Sequence, residues 1–241
     1  MVALNFVDRG VEYEDDRIPT FRVYQRSFIK ALNSMKEDWM SAWKDYKFKL
    51  SFFAAVFGSY LILSYCDLFF VYIQHRKGFV FKDVVLEMLP STDVSYLTFF
   101  ILWGQTIYAI FAIRCRPWTV THVFWAVNLE TSLRFLCIYL VPLDPPRGLI
   151  NLVDPVAEML IYGEGATVTK DLFFSGHTAT MCLSCFFLPS PSERWVATVL
   201  TFILAFLLLL QHVHYTIDVV AAPFFTLASI YITRALVRTD L

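Results

Sequence analysis

The sequence predicts an all-α, multi-pass membrane protein: a six-transmembrane-helix bundle with an N-terminal amphipathic interfacial helix. Composition and segmentation carry the prediction. Hydrophobic residues make up 57% of the 241 positions and aromatic residues 17%, and mean hydropathy is +0.56. Apolar runs near the roughly 20 residues that a bilayer core requires recur along the chain. Net charge is −1, so no polyelectrolyte surface for nucleic acid is implied. One domain is the simplest reading.

Residues 1–47 are polar and of mixed charge, and are expected to form a cytoplasmic N-terminal segment. Within it Phe28, Ile29, Leu32, Met35, Trp39, Met40 and Trp43 recur at helical spacing between Arg22 and Tyr46. That pattern fits an amphipathic helix at the membrane interface, or one packed on the end of the bundle. Trp39 and Trp43 with Lys44, Lys47 and Lys49 suit a headgroup belt. The N-terminus offers no apolar core of a cleavable signal, so the first membrane helix is expected to direct insertion.

Residues 48–241 are expected to form the catalytic membrane domain. Its spans are predicted at about 48–74, 95–114, 118–142, 171–189, 193–213 and 216–236. Pro142 and Pro189-Ser190-Pro191 end the third and fourth, and a long loop over 143–170 holds Pro145-Pro146-Arg147-Gly148. Lys36, Lys44, Lys47, Lys49, Arg114, Arg116, Arg194, Arg234 and Arg238 fall on one side of this topology, which the positive-inside rule assigns to the cytoplasm. Arg76, Lys77 and Lys82 fall on the other. Both termini are then cytoplasmic. The acidic 143–170 loop lies outside, with the start of helix four, the end of helix five and the start of helix six. The organelle, or a bacterial inner membrane, is left open, and a homo-oligomer is compatible with the sequence.

Five cysteines lie mostly in apolar runs and read as small buried hydrophobes. Cys182 and Cys185, three apart, lack the soluble βαβ context of a redox pair.

Two polar stretches stand out, Asp171-Leu172-Phe173-Phe174-Ser175-Gly176-His177-Thr178 and His214-Tyr215-Thr216-Ile217-Asp218. The topology brings them to one membrane face. Ionisable groups within membrane helices are costly and point to function. His214 and Asp218 are four apart. A carboxylate at that spacing can accept the Nδ1 proton and leave Nε2 as a nucleophile or base; the pair could equally cap the helix. Ser175-Gly176 at a helix start suits a phosphate, since unpaired N–H groups and the positive dipole end meet there. Gly176 permits close approach. His177 can protonate a leaving oxygen or deprotonate an attacking one. Arg134, about two turns from the outer end of helix three, can bind phosphate oxygens. Glu130 is four residues earlier and could pair with it. His122 and Asn128 are expected to hydrogen-bond between helices. His212 is a supporting residue that points elsewhere on a helix. No His-Glu-x-x-His or Cys/His cluster suggests zinc, and Ser175 is not in a Gly-x-Ser-x-Gly elbow. No metal or cofactor is implied.

The stretch Asp171-x-x-Phe174-Ser175-Gly176-His177-Thr178, with His214-Tyr215-Thr216-x-Asp218-Val219-Val220-x-Ala222, resembles the third and fourth motifs of the sphingomyelin synthase-related family, within the phosphatidic acid phosphatase type 2 superfamily. His212 also matches, and Arg134-Phe135-Leu136-Cys137-Ile138 through Pro142 is a looser match to the second motif. The resemblance covers about 130–225. It implies a metal-independent transfer of a phospho-headgroup through a phosphohistidine. His214 is then the nucleophile, Asp218 its orienting carboxylate and His177 the acid and base. Ser175, Gly176 and Arg134 would hold the phosphate, with Asp171, Glu130, His212 and Tyr215 in support. The implied partners are membrane lipids: a phospholipid donor, with ceramide or diacylglycerol. A hydrolase with water as acceptor is the alternative. The superfamily's Lys-x6-Arg-Pro motif is missing, with Ala109 in the lysine position before Arg116-Pro117. Leu207 and Leu208 stand where its phosphatases carry Ser-Arg. Both differences favour the synthase-like branch. Pro223 replaces the usual tyrosine, and the Pro-rich first motif is not matched around Leu89-Pro90.

Overall fold

The computed structural model describes residues 33–152 and 168–237. Residues 22–32 of the predicted interfacial helix, and Asp154, Glu158 and Glu164 of the long acidic loop, lie outside the described residues. Within them the chain is helical, with one isolated backbone bridge between Phe79 and Leu143.

Helical residues 33–42 lead into the first long helix. Trp39 donates its indole N–H to the Arg114 carbonyl at 2.8 Å, and Trp39 and Trp43 pack edge-on against Phe48 and Phe52. These contacts set the stretch against the end of the bundle. α1 (Tyr46–His75) starts at Asp45, whose carboxylate accepts the Lys47 N–H, as an N-cap does. Its 30 residues extend ~45 Å, longer than a bilayer core. The short α2 (Val84–Met88) lies in the connector, and α3 (Ser95–Ile113) returns across the bundle. α4 (Pro117–Leu140) begins with proline at its first turn, where the missing N–H costs nothing. α5 (Gly176–Phe187), α6 (Pro191–Leu210) and α7 (Thr216–Thr233) complete the bundle, with a final 3₁₀ turn over Arg234–Leu236.

Among the described residues, five helices are long and apolar enough to cross a membrane: α1, α3, α4, α6, and α7 with its 3₁₀ extension. They mark an integral membrane protein. The predicted fourth span differs. α5 has 12 residues, about 18 Å long, and cannot cross a bilayer core alone. Residues 171–175 approach it as irregular backbone, because Ser175 caps the helix: its hydroxyl accepts the Thr178 N–H at 3.3 Å. Such backbone is tolerated near the membrane only where protein surrounds it. Here α3, α6 and α7 pack around α5, and Phe174 stacks on Phe225 at 4.5 Å.

Polar side chains join the helices where apolar packing gains little over lipid. Asn128 of α4 donates to the Ala55 carbonyl of α1 at 2.7 Å and accepts the Ser59 hydroxyl at 2.7 Å. A Cβ on Gly58 would sit 2.9 Å from the Asn128 amide nitrogen, so glycine opens this crossing. His122 reaches the Ile230 carbonyl of α7 at 3.0 Å. Both residues therefore join helices as the sequence suggests. Gln105 of α3 donates to Ser184 of α5 at 2.6 Å.

Candidate active site

The end of α4, the start of α5, the end of α6 and the start of α7 meet at one end of the bundle. His177 enters from the first turn of α5. His214 lies in the turn between α6 and α7, two residues before α7 begins. Their rings approach to 6.2 Å between centroids at 64°. A backbone bond ties the two stretches together, Ser175 N–H to the Asp218 carbonyl at 3.0 Å.

His214 and Asp218 do not share a helical face, since α7 starts only at Thr216. The cap geometry makes the pair instead. Asp218 turns back over the helix start, and its Oδ2 accepts the Tyr215 N–H at 3.0 Å. The same oxygen lies 3.3 Å from His214 Nδ1. One carboxylate thus performs both functions that the spacing suggested, cap and orienter. With Nδ1–H directed at Asp218, Nε2 carries the lone pair. The dyad is out of water: side-chain exposure is 3% for His214 and 0% for Asp218. The other Asp218 oxygen, Oδ1, is buried without a hydrogen-bond partner among the described residues. A nearby imidazolium would be stabilised by that unshielded charge. The 3.3 Å contact is long for an ionic hydrogen bond, and contacts of this kind often shorten when substrate binds.

Arg134 occupies the other wall. Its Nε donates to the Phe174 carbonyl at 2.9 Å, and a terminal nitrogen pairs with Asp171 at 2.5 Å. A Cβ on Gly176 would fall 2.6 Å from the Arg134 guanidinium carbon. The close approach that Gly176 permits is therefore that of Arg134. Arg134 lies beside the helix N-terminus carrying His177, with its charge already shared with Asp171. Ser175 is likewise engaged, as the α5 cap. Glu130 is buried one turn deeper on α4, against Thr226 of α7.

The loops at this end of the bundle complete the frame. The Tyr215 hydroxyl donates to the Asp144 carbonyl at 2.9 Å and accepts the Phe81 N–H at 3.2 Å. Burial, chiefly, pushes the phenol above its usual range. Lys170 bridges Asp144 at 2.8 Å and the Arg76 carbonyl at 2.6 Å. His212 is placed by a helix C-terminal turn rather than on a helix face. Its φ is 55°, its N–H bonds the Leu209 carbonyl and the Val213 N–H bonds the Leu208 carbonyl. These two bonds form a Schellman closure, in which that position is usually glycine.

Sequence reasoning missed Asp83. In the sequence it is one acidic residue between the first two predicted spans. Its Oδ2 accepts the Thr216 N–H at 2.6 Å and its Oδ1 accepts the Thr216 hydroxyl at 3.0 Å, across 133 residues. Oδ1 also caps α2 through the N–H groups of Val85 and Leu86. The only local signal was an Asp before a short apolar run, which marks a cap of its own helix and says nothing about α7. Among the described residues, no group of three or more His, Cys, Asp or Glu converges to hold a metal ion.

Taken together, the site offers two imidazoles, a buried carboxylate behind one of them, and an arginine at a helix N-terminus. That set can attack, protonate and hold an anionic phosphorus centre. No curated protein matches the chain. Residues 170–235 match the family model described as PAP2 superfamily C-terminal, a stretch that contains His177, His214 and Asp218. This match supports the phosphatidic acid phosphatase type 2 superfamily, whose enzymes transfer or hydrolyse phosphoryl groups, and does not separate its synthase-like branch from its phosphatases.

Proposed function

We propose that this protein is a lipid phosphotransferase of the sphingomyelin synthase-like kind, moving a phospho-headgroup from a glycerophospholipid to a ceramide-like alcohol. The observation that carries the reading is the facing pair His177 and His214, 6.2 Å apart, with Asp218 behind His214. His214 Nε2 attacks phosphorus, and the bond from phosphorus to the diacylglycerol oxygen breaks. His177, as imidazolium, gives that oxygen its proton. The headgroup phosphate is now bonded to His214, whose positive charge Asp218 offsets. His177, now neutral, takes the proton of the acceptor hydroxyl. The alkoxide oxygen bonds phosphorus, and the phosphorus–nitrogen bond breaks to restore His214. Two in-line displacements replace one difficult one. Arg134, Ser175 and Gly176 hold the phosphate at the α5 N-terminus, and Asp171 keeps Arg134 aimed. Glu130, His212 and Tyr215 support the frame. The chemistry needs no metal or cofactor.

The catalytic unit is the bundle from about residue 48 onward. Its site faces the extracytoplasmic side and both termini face the cytoplasm, a placement supported by the Lys/Arg bias of the opposite end. Purified protein in vesicles of phospholipid and ceramide tests the function, with products read by mass spectrometry. New phosphosphingolipid establishes transfer. Diacylglycerol with free phospho-headgroup and no phosphosphingolipid establishes the hydrolase instead. Absence of both would remove the reading.

A further inference from the structure

The buried His212 ring has an arrangement that a neutral histidine cannot complete. Its Nδ1 lies 2.9 Å from the Arg147 carbonyl and its Nε2 lies 3.2 Å from the Leu89 carbonyl. Both partners are acceptors only. A neutral imidazole has one N–H and would set a lone pair against the second carbonyl. An imidazolium donates to both. The ring also joins three separate segments: the connector 89–95, the loop 147–150 and the turn carrying His214. Other bonds converge there. Thr92 N–H reaches the Leu210 carbonyl and Ile150 N–H the Gln211 carbonyl. Ser91 bonds the Gly148 carbonyl, and Gln211 donates to Ser95. Gly148 lets the ring in: its φ is +80°, and a Cβ there would lie 3.3 Å from His212 Nδ1.

We propose that His212 is a positioning residue that acts as an imidazolium, clipping the two outer loops to the turn that presents His214. The proposal rests on the functional reading above only for its effect on turnover. The other titratable and charged groups of the three segments are Asp93, Arg147, His214 and Tyr215, whose phenol burial pushes above its usual range. Asp93 is held below the usual carboxylate range by the Ser95 hydroxyl and N–H, and remains anionic where imidazoles titrate. His214 is directed at Asp218.

The test combines ¹⁵N-histidine NMR of the full chain in lipid nanodiscs with turnover against pH. The chain has five histidines, and the resonances missing from His212→Asn assign the ring. Asparagine tolerates the left-handed backbone at 212 and supplies no cation. Should it not fold, His212→Gly keeps that backbone and serves the same purpose. At the pH of highest turnover both His212 nitrogens are expected to carry protons. Turnover should fall about tenfold as they lose one, and His212→Asn should show the lower rate without that limb, at an unchanged KM. A single-proton ring at that pH, or a variant with wild-type kcat and the same limb, would overturn the clip. A wild-type chain inactive on every lipid would overturn the functional reading alone; the clip would then be decided by the ring spectrum at neutral pH, where a single-proton His212 overturns it.

Discussion

The two histidines are held by contrasting means. His177 belongs to its own helix: Ser175 caps the turn, Gly176 admits Arg134, and the ring follows within three residues. Every part of that arrangement is adjacent in sequence except Arg134 and Asp218. His214 belongs to no helix. It sits in a turn fixed by distant loops, through Asp83 to Thr216, Asp144 to Tyr215, and Arg147 and Leu89 to His212. His177 is therefore placed by local structure, and His214 by loops assembled at that end of the bundle. A nucleophile must form and release a bond along one line, so its direction matters more than that of a proton carrier.

The sharpest way to break this contrast is to remove His214, the proposed nucleophile. His214→Ala should lower turnover by about 10⁴-fold or more while helical content and detergent-solubilised size stay unchanged. His177→Ala should cost less, since a water or buffer imidazole can carry a proton but cannot replace the covalent step. Equal losses in single-turnover assays would show that the two rings do not divide the work in this way. Next comes the local side of the comparison. Gly176→Ala places a methyl 2.6 Å from the Arg134 guanidinium carbon. The arginine must move, and a displacement near 1 Å at a phosphate site costs about 100-fold in kcat/KM. A normal kcat/KM in this variant would remove Arg134 from the phosphate site.

The same contrast explains what could be read from the chain. Long apolar runs gave up α1, α3, α4, α6 and α7, because the bilayer demands length and hydropathy that few other segments have. α5 was misjudged in length. Its apolar residues continue to Leu188, and the Phe173-Phe174 pair before it reads as membrane-embedded, yet Ser175 takes the cap and sets the start. The His177 stretch was legible because capping is local. The pairing of His214 with Asp218 was legible in spacing, which left its form open between orienter and cap; the helix start at Thr216 lets one carboxylate do both. Asp83 was illegible. A carboxylate that caps its own short helix looks the same in sequence whether or not a second helix also uses it.

Asp83 then tests the long-range side at smaller magnitude. Asp83→Asn keeps the volume, but one oxygen becomes a donor that opposes either the Thr216 N–H or the α2 cap. Loss of one buried acceptor destabilises by about 1–3 kcal/mol. If the α7 start directs His214, kcat should fall about tenfold at unchanged KM for phospholipid, a barrier increase of about 1.4 kcal/mol. A variant that melts earlier but turns over normally would confine Asp83 to stability.

The smallest expected effect lies away from both histidines. Asn128 joins α1 to α4 through the Ala55 carbonyl and Ser59, at a crossing remote from the loops around the site. Interhelical hydrogen bonds of this kind contribute about 0.6–2 kcal/mol in membranes. Asn128→Ala should therefore lower the thermal unfolding midpoint in detergent slightly, with kcat and its pH profile unchanged. The control matters because Asp83→Asn and Asn128→Ala remove comparable buried hydrogen bonds. If both lowered kcat in proportion to lost stability, loosening of the bundle would account for each. If only Asp83→Asn lowers kcat, the loops around the site direct His214, and the rest of the bundle serves to hold them there.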